Sequence, residues 1–262
     1  MLQHFTVTPT TVLATNLSLP IVNHCVNSCV SCSTFSPVCK PYCVPKETIK
    51  KDLKDFSRIL HAQTLSIIGG EPLLHPDLLD IVEIAASSGI ADNVQIVTNG
   101  QLLASMSDDF WKRTATLVVT RYPGKFTDEQ FSEMQRRAAA NRKVFIPTNP
   151  MFDSFCKGIT KDKSPAAATK AFNSCGAKGW AVILIDGKFY WCHEFYYRHL
   201  LGIEQWNGGL DVATATRDEL IAYVNPSGPA PTCHGCTGYC ARTQPWSECR
   251  DAAEWYRKST DE

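Results

Sequence analysis

Three cysteines stand close together near the start of the chain, in the order Cys25-x3-Cys29-x2-Cys32. Their thiolates can bind three irons of a 4Fe–4S cluster, in which each iron normally takes one thiolate. With three local ligands one iron stays open, in the way that an open metal position receives a substrate in other enzymes. The spacing therefore predicts a cluster whose fourth iron binds a small molecule.

A zinc site is the competing interpretation of this loop. Structural zinc usually takes four ligands, and Cys39 or Cys43 could supply the fourth. The spacing of thiolates does not by itself distinguish zinc from an iron–sulfur cluster. The choice between them therefore depends on the motifs that surround the cysteines.

The bulk composition narrows the class of protein. The chain has 262 residues, 44% hydrophobic and 20% charged, with a formal net charge of zero. We expect no broad electrostatic surface for nucleic acid or anionic lipid, no membrane-spanning segment and no secretory signal. These features predict a cytoplasmic protein, and twelve cysteines in such a chain more often indicate metal binding or redox chemistry than disulfides.

Strand-like and helix-like segments alternate along the first 150 residues. This order predicts a parallel sheet with right-handed crossovers, and functional loops at the carboxyl ends of its strands. The strands are expected at 19–23, 64–68, 94–98, 117–120 and 144–146, and the helices at 46–61, 77–88, 107–113 and 128–141.

The last third of the chain has a different pattern. Residues 148–175 are polar and predict a loop and linker, and Asp-Gly between two apolar runs predicts a β-hairpin over 181–192. A turn-rich tail and a short helix near 252–258 follow. We place a domain boundary near residue 170, giving domains 1–170 and 171–262.

The cysteine loop and two later strand ends together resemble the radical S-adenosylmethionine (SAM) superfamily. Gly69-Gly70-Glu71-Pro72 ends the second predicted strand and Thr98-Asn99-Gly100 ends the third. The resemblance implies an α/β fold, a partial (β/α)6-type barrel, in which Cys25, Cys29 and Cys32 hold a 4Fe–4S cluster that binds SAM.

The same resemblance assigns the residues that bind SAM. Gly69, Gly70 and Glu71 would contact its amino group, and Thr98 and Asn99 would lie near its ribose and methionyl part. Many members carry an aromatic residue just before the third cysteine, which packs against adenine. Ser31 stands there in this chain, so another group must pack against the adenine.

The C-terminal cysteines resemble the twitch and SPASM extensions of the superfamily, with a layout like that of its 2-deoxy-scyllo-inosamine dehydrogenases. In the twitch form, two hairpin cysteines and a later CX2C pair hold one auxiliary 4Fe–4S cluster. Carried over by position, Cys175, Cys192, Cys233 and Cys236 would be its ligands. The extension would be a small hairpin-plus-helix unit that serves electron transfer, and a structural zinc knob is its alternative.

Several residues have roles that the sequence leaves open. Cys240 and Cys249 could instead join Cys233 and Cys236 in one ligand set, or donate a hydrogen atom to a substrate radical. Small buried side chains are the simpler interpretation of the unassigned cysteines. Further candidates are Arg121 at a strand end and His193 beside a predicted ligand, and the cysteines without a partner set are Cys39, Cys43, Cys156, Cys240 and Cys249.

The expected reaction is the two-electron oxidation of a carbinol in a sugar or aminocyclitol, with Arg121 or His193 as the base. A flavodoxin- or ferredoxin-type protein would supply the first electron, and the auxiliary cluster would accept the second. The alternatives are an epimerase with a cysteine hydrogen donor, a peptide-modifying enzyme, and a non-catalytic zinc or iron–sulfur scaffold.

Overall fold

The computed structural model describes residues 2, 4–114, 116–150, 164–236, 245–249 and 251. The strands of this part are β1 Phe5–Val7, β2 Val12–Val22, β3 Leu60–Gly69, β4 Ala91–Thr98, β5 Thr116–Thr120, β6 Phe145–Thr148, β7 Ile183–Ile185, β8 Lys188–Tyr190 and β9 Leu210–Asp211. Its helices are α1 Lys46–Phe56, α2 Leu78–Ser87, α3 Asp108–Arg113, α4 Asp128–Ala140, α5 Pro165–Ser174, α6 His193–Leu200, α7 Arg217–Tyr223 and α8 Pro231–His234.

One sheet contains all of these strands, in the order β6-β5-β4-β3-β2-β7-β8-β9, with β1 paired to β2. The strands from β2 to β7 are mutually parallel, whereas β8 and β9 continue the sheet antiparallel. Helices α1 to α5 lie between successive parallel strands in the chain. The predicted α/β architecture is confirmed, and its parallel strands bring their carboxyl ends to one edge.

Three strands begin several residues earlier than the sequence pattern predicts. β2 begins at Val12 instead of residue 19, and β4 begins at Ala91 instead of residue 94. β3 begins at Leu60, where the apolar periodicity favours a helix to residue 61. Helix α1 ends at Phe56, and Leu60 in β3 then pairs with Val12 in β2. Pairing between distant strands, which a local pattern does not contain, decides these bounds.

A helix occupies part of the predicted linker. Ser164 accepts a hydrogen bond from the backbone N–H of Ala167, and Pro165 stands at the first helical position. Both are strong helix-start signals, so the prediction of loop over 148–175 is wrong for α5. The predicted domain boundary at residue 170 falls inside this helix and stays a prediction.

The predicted hairpin is present as β7 and β8. Asp186 and Gly187 have φ angles of 49° and 76°, as a two-residue turn of the I′ type requires. The backbone N–H of Ser18 donates to the carbonyl of Val182 at 3.2 Å. The hairpin therefore extends the sheet of the preceding strands and places the segment after β8 beside the segment that precedes β7, where His193 N–H donates to Ala181 O at 3.0 Å.

In the part of the chain that the structure describes, no helix has the length and apolar character needed to cross a membrane.

Candidate active site

A cavity of about 360 Å³ opens at the carboxyl ends of the parallel strands. Its walls come from the three-cysteine loop after β2, the ends of β3, β4 and β5, and the segment before β7. The described residues that line it are Cys25, Asn27, Cys29, Ser31, Cys32, Ser33, Thr34, Ile68, Gly69, Gly70, Val97, Thr98, Asn99, Thr120, Tyr122, Asn149, Pro150, Ala177, Trp180, Ala181 and His193.

The sulfurs of the three-cysteine loop face this cavity and accept hydrogen bonds. The backbone N–H of Asn27 and the Nδ2 of Asn99 each donate to Cys25 Sγ at 3.4 Å, and Trp246 Nε1 donates to Cys29 Sγ at 3.1 Å. Donors of this kind suit thiolates that bind iron, because they stabilise negative charge on sulfur. The donor set therefore fits a cluster held by the three cysteines.

Burial raises the pKa of Cys25 and of Cys29 to about 12. Both thiols are therefore protonated at neutral pH until a metal binds. Since thiolates are the ligands, iron binding must release these protons.

The glycines after β3 let that strand end approach the cysteine loop. Gly70 N–H donates to Val22 O at 2.7 Å, and the backbone N–H of Glu71 donates to His24 O at 2.9 Å. A Cβ atom on Gly70 would lie 2.1 Å from His24 O. The predicted SAM-binding backbone is thus fixed directly against the cluster loop.

The Glu71 carboxylate joins two strand ends and is not part of the cavity wall. It accepts hydrogen bonds from the backbone of Leu73 at 3.1 Å, from Thr98 Oγ1 at 2.6 Å and from the backbone of Asn99 at 2.8 Å. Burial raises its pKa. Its geometry supports a positioning role for the Thr98-Asn99 turn, and a contact between the Glu71 side chain and SAM stays a prediction.

The residue after Arg121, rather than Arg121 itself, lines the cavity. Arg121 turns away to pair with Asp128 and lies 5.0 Å over the ring of Phe131. Tyr122 lines the cavity, and its partly buried ring is a candidate for the adenine contact that Ser31 cannot provide. The strand-end position suggested this segment, but only the direction of each side chain selects Tyr122.

A second, smaller cavity of about 30 Å³ brings the four predicted auxiliary ligands together. Cys175 precedes the hairpin, Cys192 follows it, and Cys233 and Cys236 come from α8 and the residues after it. Burial and the charges of neighbouring groups, Glu194 first, raise the pKa of Cys192 well above its usual value. The other lining residues are Ala171, Phe172, Lys178, Trp191, Glu194, Phe195 and Thr232.

The zinc alternatives stay predictions. Among the described residues, no three His, Cys, Asp or Glu side chains are arranged to hold a single metal ion. Cys249 is not among the residues that line the second cavity. Its backbone N–H donates to Ser28 O at 2.8 Å, which places it beside the first cysteine loop.

The remaining unassigned cysteines divide into two groups. Cys39 donates a long hydrogen bond to Thr34 O at 3.9 Å, and Cys43 is partly buried. Cys156 and Cys240 lie outside the described residues. The hydrogen-donor role predicted for Cys240 and Cys249 stays a prediction, and Cys249 is not among the residues that line the first cavity.

A buried arginine ties α6 to the loop that carries Cys233 and Cys236. Arg198 donates to Glu194 at 3.1 Å, to Glu204 at 3.0 Å and to the carbonyl of Gly235 at 2.9 Å. Burial opposes its charge, but Glu194, Cys236 and Glu204 outweigh that effect and raise the pKa of Arg198. The network holds the ligand loop against α6, next to Cys192.

Replacing Arg198 with methionine is expected to lower the free energy of unfolding by about 3–5 kcal/mol, because the buried carboxylate of Glu194 and the partly buried carboxylate of Glu204 lose their counter-ion. Urea unfolding followed by circular dichroism measures the change. Arg113→Met is the matched control, since Arg113 pairs with acidic groups at the surface and should matter little. An Arg198→Met protein with the wild-type midpoint would contradict this assignment.

His193 and Cys192, consecutive residues at the start of α6, face different cavities. His193 lines the first cavity and Cys192 the second. The His193 Nε2 lies 3.4 Å from Glu194 Oε1, and the backbone N–H of His193 donates to Ala181 O at 3.0 Å. Because adjacent Cα atoms are about 3.8 Å apart, a thin wall separates the two sites.

Comparison with known sequences relates the first part of this chain to one superfamily. Residues 19–127 match the family model described as the radical SAM superfamily. The GTP 3′,8-cyclase of Chlorobaculum tepidum is 28% identical over 142 residues, which cover 47% of this chain and 41% of the cyclase. That of Crocosphaera subtropica is 39% identical over 46 residues, 18% of this chain and 14% of the cyclase. The match thus spans less than half the length of these relatives.

Comparison with solved structures relates nearly the whole chain to one fold. BtrN, a 2-deoxy-scyllo-inosamine dehydrogenase solved with AdoMet and 2-DOIA, is 14% identical with a TM-score of 0.54, over 88% of this chain and 98% of BtrN. The protein anSMEcpe, solved with AdoMet, is 13% identical with a TM-score of 0.51, over 93% of this chain and 95% of anSMEcpe. The predicted partial barrel is confirmed at the level of the fold. Residues 19–127 of this chain therefore match the radical SAM superfamily, a family that implies a 4Fe–4S cluster and SAM as cofactors.

Proposed function

We propose that this radical SAM enzyme oxidises an alcohol carbon of a small polar substrate such as an aminocyclitol or a sugar. The observation that carries the proposal is the second cavity, where Cys175, Cys192, Cys233 and Cys236 converge beside the first. Four thiolates satisfy a 4Fe–4S cluster completely, which favours electron transfer over substrate binding at the auxiliary site.

The bound groups would supply the redox chemistry, and the chain supplies the geometry. When present, the SAM-binding cluster provides a 5′-deoxyadenosyl radical that takes a hydrogen atom, and the auxiliary cluster provides an acceptor for the second electron. Cys192 and His193 bring the two sites together at one point of the chain. A flavodoxin- or ferredoxin-type electron donor and a cytoplasmic location remain predictions.

The lining of the first cavity supports a small, hydroxyl-rich substrate. Its polar side chains include Asn27, Ser33, Thr34, Thr120 and Asn149, which can donate and accept hydrogen bonds with hydroxyl groups. Among the described lining residues there is no Lys, Arg, Asp or Glu. A nucleoside triphosphate would require cationic partners, so the lining does not favour the substrate named for the cyclase relatives.

The proposal is tested with anaerobically reconstituted protein, SAM, a reductant and a panel of aminocyclitols and sugars deuterated at each carbinol carbon. We expect deuterium in 5′-deoxyadenosine and one ketone formed for each 5′-deoxyadenosine. Solvent deuterium at a carbon of a redox-neutral product would instead indicate an epimerase. Turnover of peptides alone would indicate a peptide-modifying enzyme, and failure to cleave SAM would indicate a scaffold.

Replacing His193 with alanine is expected to lower ketone formation about 100-fold, because the ring would no longer hold the substrate hydroxyl in position. Formation of 5′-deoxyadenosine without substrate should persist, since the three-cysteine loop is unchanged. His199→Ala is the matched control, because His199 is exposed at the other end of the same helix. Equal ketone yields from the two variants would remove His193 from the substrate site.

A further inference from the structure

A short C-terminal segment, residues 245–249, lies against the three-cysteine loop and is here named the strap. Val30 N–H donates to Ser247 O at 3.0 Å, and Cys249 N–H donates to Ser28 O at 2.8 Å. Cys29 and Glu248 form an isolated antiparallel bridge. The backbone of the cluster loop is thus paired, strand to strand, with a segment more than two hundred positions away in the sequence.

Side chains attach the strap at two further points. The Glu248 carboxylate accepts from Ser28 N–H at 3.1 Å and pairs with Lys125 Nζ at 2.7 Å. The ring of Trp246 lies 5.4 Å from the ring of Tyr122, and Lys125 Nζ lies 5.4 Å over the Trp246 ring. These contacts fix the orientation of the Trp246 ring.

The fixed ring directs a hydrogen bond at one predicted cluster ligand. Trp246 Nε1 donates to Cys29 Sγ at 3.1 Å, within the range of a strong N–H···S contact. The indole nitrogen is a donor only, so the bond has one direction. A hydrogen bond to a ligand sulfur stabilises the more negative, reduced state of a cluster more than its oxidised state, and thereby raises the reduction potential.

We propose that Trp246 is a positioning residue for the SAM-binding cluster, which raises the reduction potential of that cluster through its hydrogen bond to Cys29. The inference rests on the proposed occupancy of Cys25, Cys29 and Cys32 by a 4Fe–4S cluster. No residue of the strap is among those that line the first cavity, so the strap would act through the ligand sulfur. Its effect is to make the first electron easier to accept.

Trp246→Phe is the discriminating variant, because it keeps an aromatic ring against Tyr122 and Lys125 and removes the N–H. The cluster is identified in reconstituted protein by the EPR signal that changes when SAM is added, and its midpoint potential is measured by redox titration. We expect wild-type iron and sulfide content and an equilibrium constant for reduction about tenfold smaller, which is about 59 mV for one electron. Trp206→Phe, which changes a ring packed 4.9 Å from Phe195, should leave this potential unchanged.

Two results would overturn the proposal. An unchanged reduction potential in Trp246→Phe, at unchanged iron content, would show that Trp246 only packs against its neighbours. Loss of iron from the three-cysteine site in the same variant would show that the ring holds the loop together instead of adjusting the cluster. A wild-type protein without a SAM-responsive signal would refute the proposed function first, and the role of the strap with it.

Discussion

Replacing Cys25, Cys29 and Cys32 together with alanine is expected to abolish SAM cleavage and to leave about four irons per chain. The three cysteines line one wall of the first cavity, so their removal eliminates every proposed ligand of the SAM-binding cluster. The auxiliary ligands line a separate cavity and are untouched. The variant should therefore lose one cluster completely and keep the other.

The measurements are iron and sulfide content, EPR spectra and 5′-deoxyadenosine formed under reduction. The matched variant replaces Cys192 and Cys236 with alanine, which should remove the auxiliary irons and retain reductive SAM cleavage. An iron-free triple variant would refute the auxiliary cluster. Continued formation of 5′-deoxyadenosine by the triple variant would refute the assignment of the first loop.

Replacing Gly70 with alanine is expected to abolish SAM cleavage by forcing the end of β3 away from the cluster loop. The new Cβ would lie 2.1 Å from His24 O, 2.4 Å from His24 C and 2.7 Å from Ser36 Oγ. Two of these atoms belong to the backbone, so no side-chain rotation relieves the clash. Overpacking of this kind costs about 1–3 kcal/mol or more, and any relief must separate the strand end from the residue before Cys25.

Two measurements on Gly70→Ala, SAM affinity and iron content, distinguish a loss of SAM binding from a loss of the cluster. We expect weak SAM binding even where iron is still incorporated, because the backbone N–H groups of this turn would be displaced. Gly228→Ala is the control, since a Cβ at Gly228 meets nothing within 4 Å. Wild-type SAM affinity in Gly70→Ala would show that the close approach is unnecessary for the site.

Much of the fold follows from local patterns. The alternation of β-rich and helix-periodic segments predicts parallel strands, and the Asp186-Gly187 turn predicts the β7–β8 hairpin, both of which the structure confirms. One error lies where distant pairing decides the outcome, since β2 extends back to Val12 because β3 pairs with its whole length. Another error is local: α5 forms where composition suggested a linker, from the helix-start signals of Ser164 and Pro165.

Some residues of the candidate site could likewise be predicted from the sequence, and others could not. Cys25, Cys29 and Cys32 are adjacent in the sequence, and a short loop must keep their sulfurs together. The choice between Arg121 and Tyr122 depends on which side chain points into the cavity, and the strand-end position alone favours neither. The Glu71 contacts with Thr98 and Asn99 join residues that no local pattern connects.

The sequence by itself determined the chemistry that the first loop can perform, because ligand type and spacing are local properties of a chain. Only the tertiary structure decided what surrounds those ligands. Trp246 reaches Cys29 across 217 positions, and the paired cavities depend on the wall at Cys192 and His193. Such contacts arise when distant segments pack, so their energies and geometry are properties of the folded chain alone.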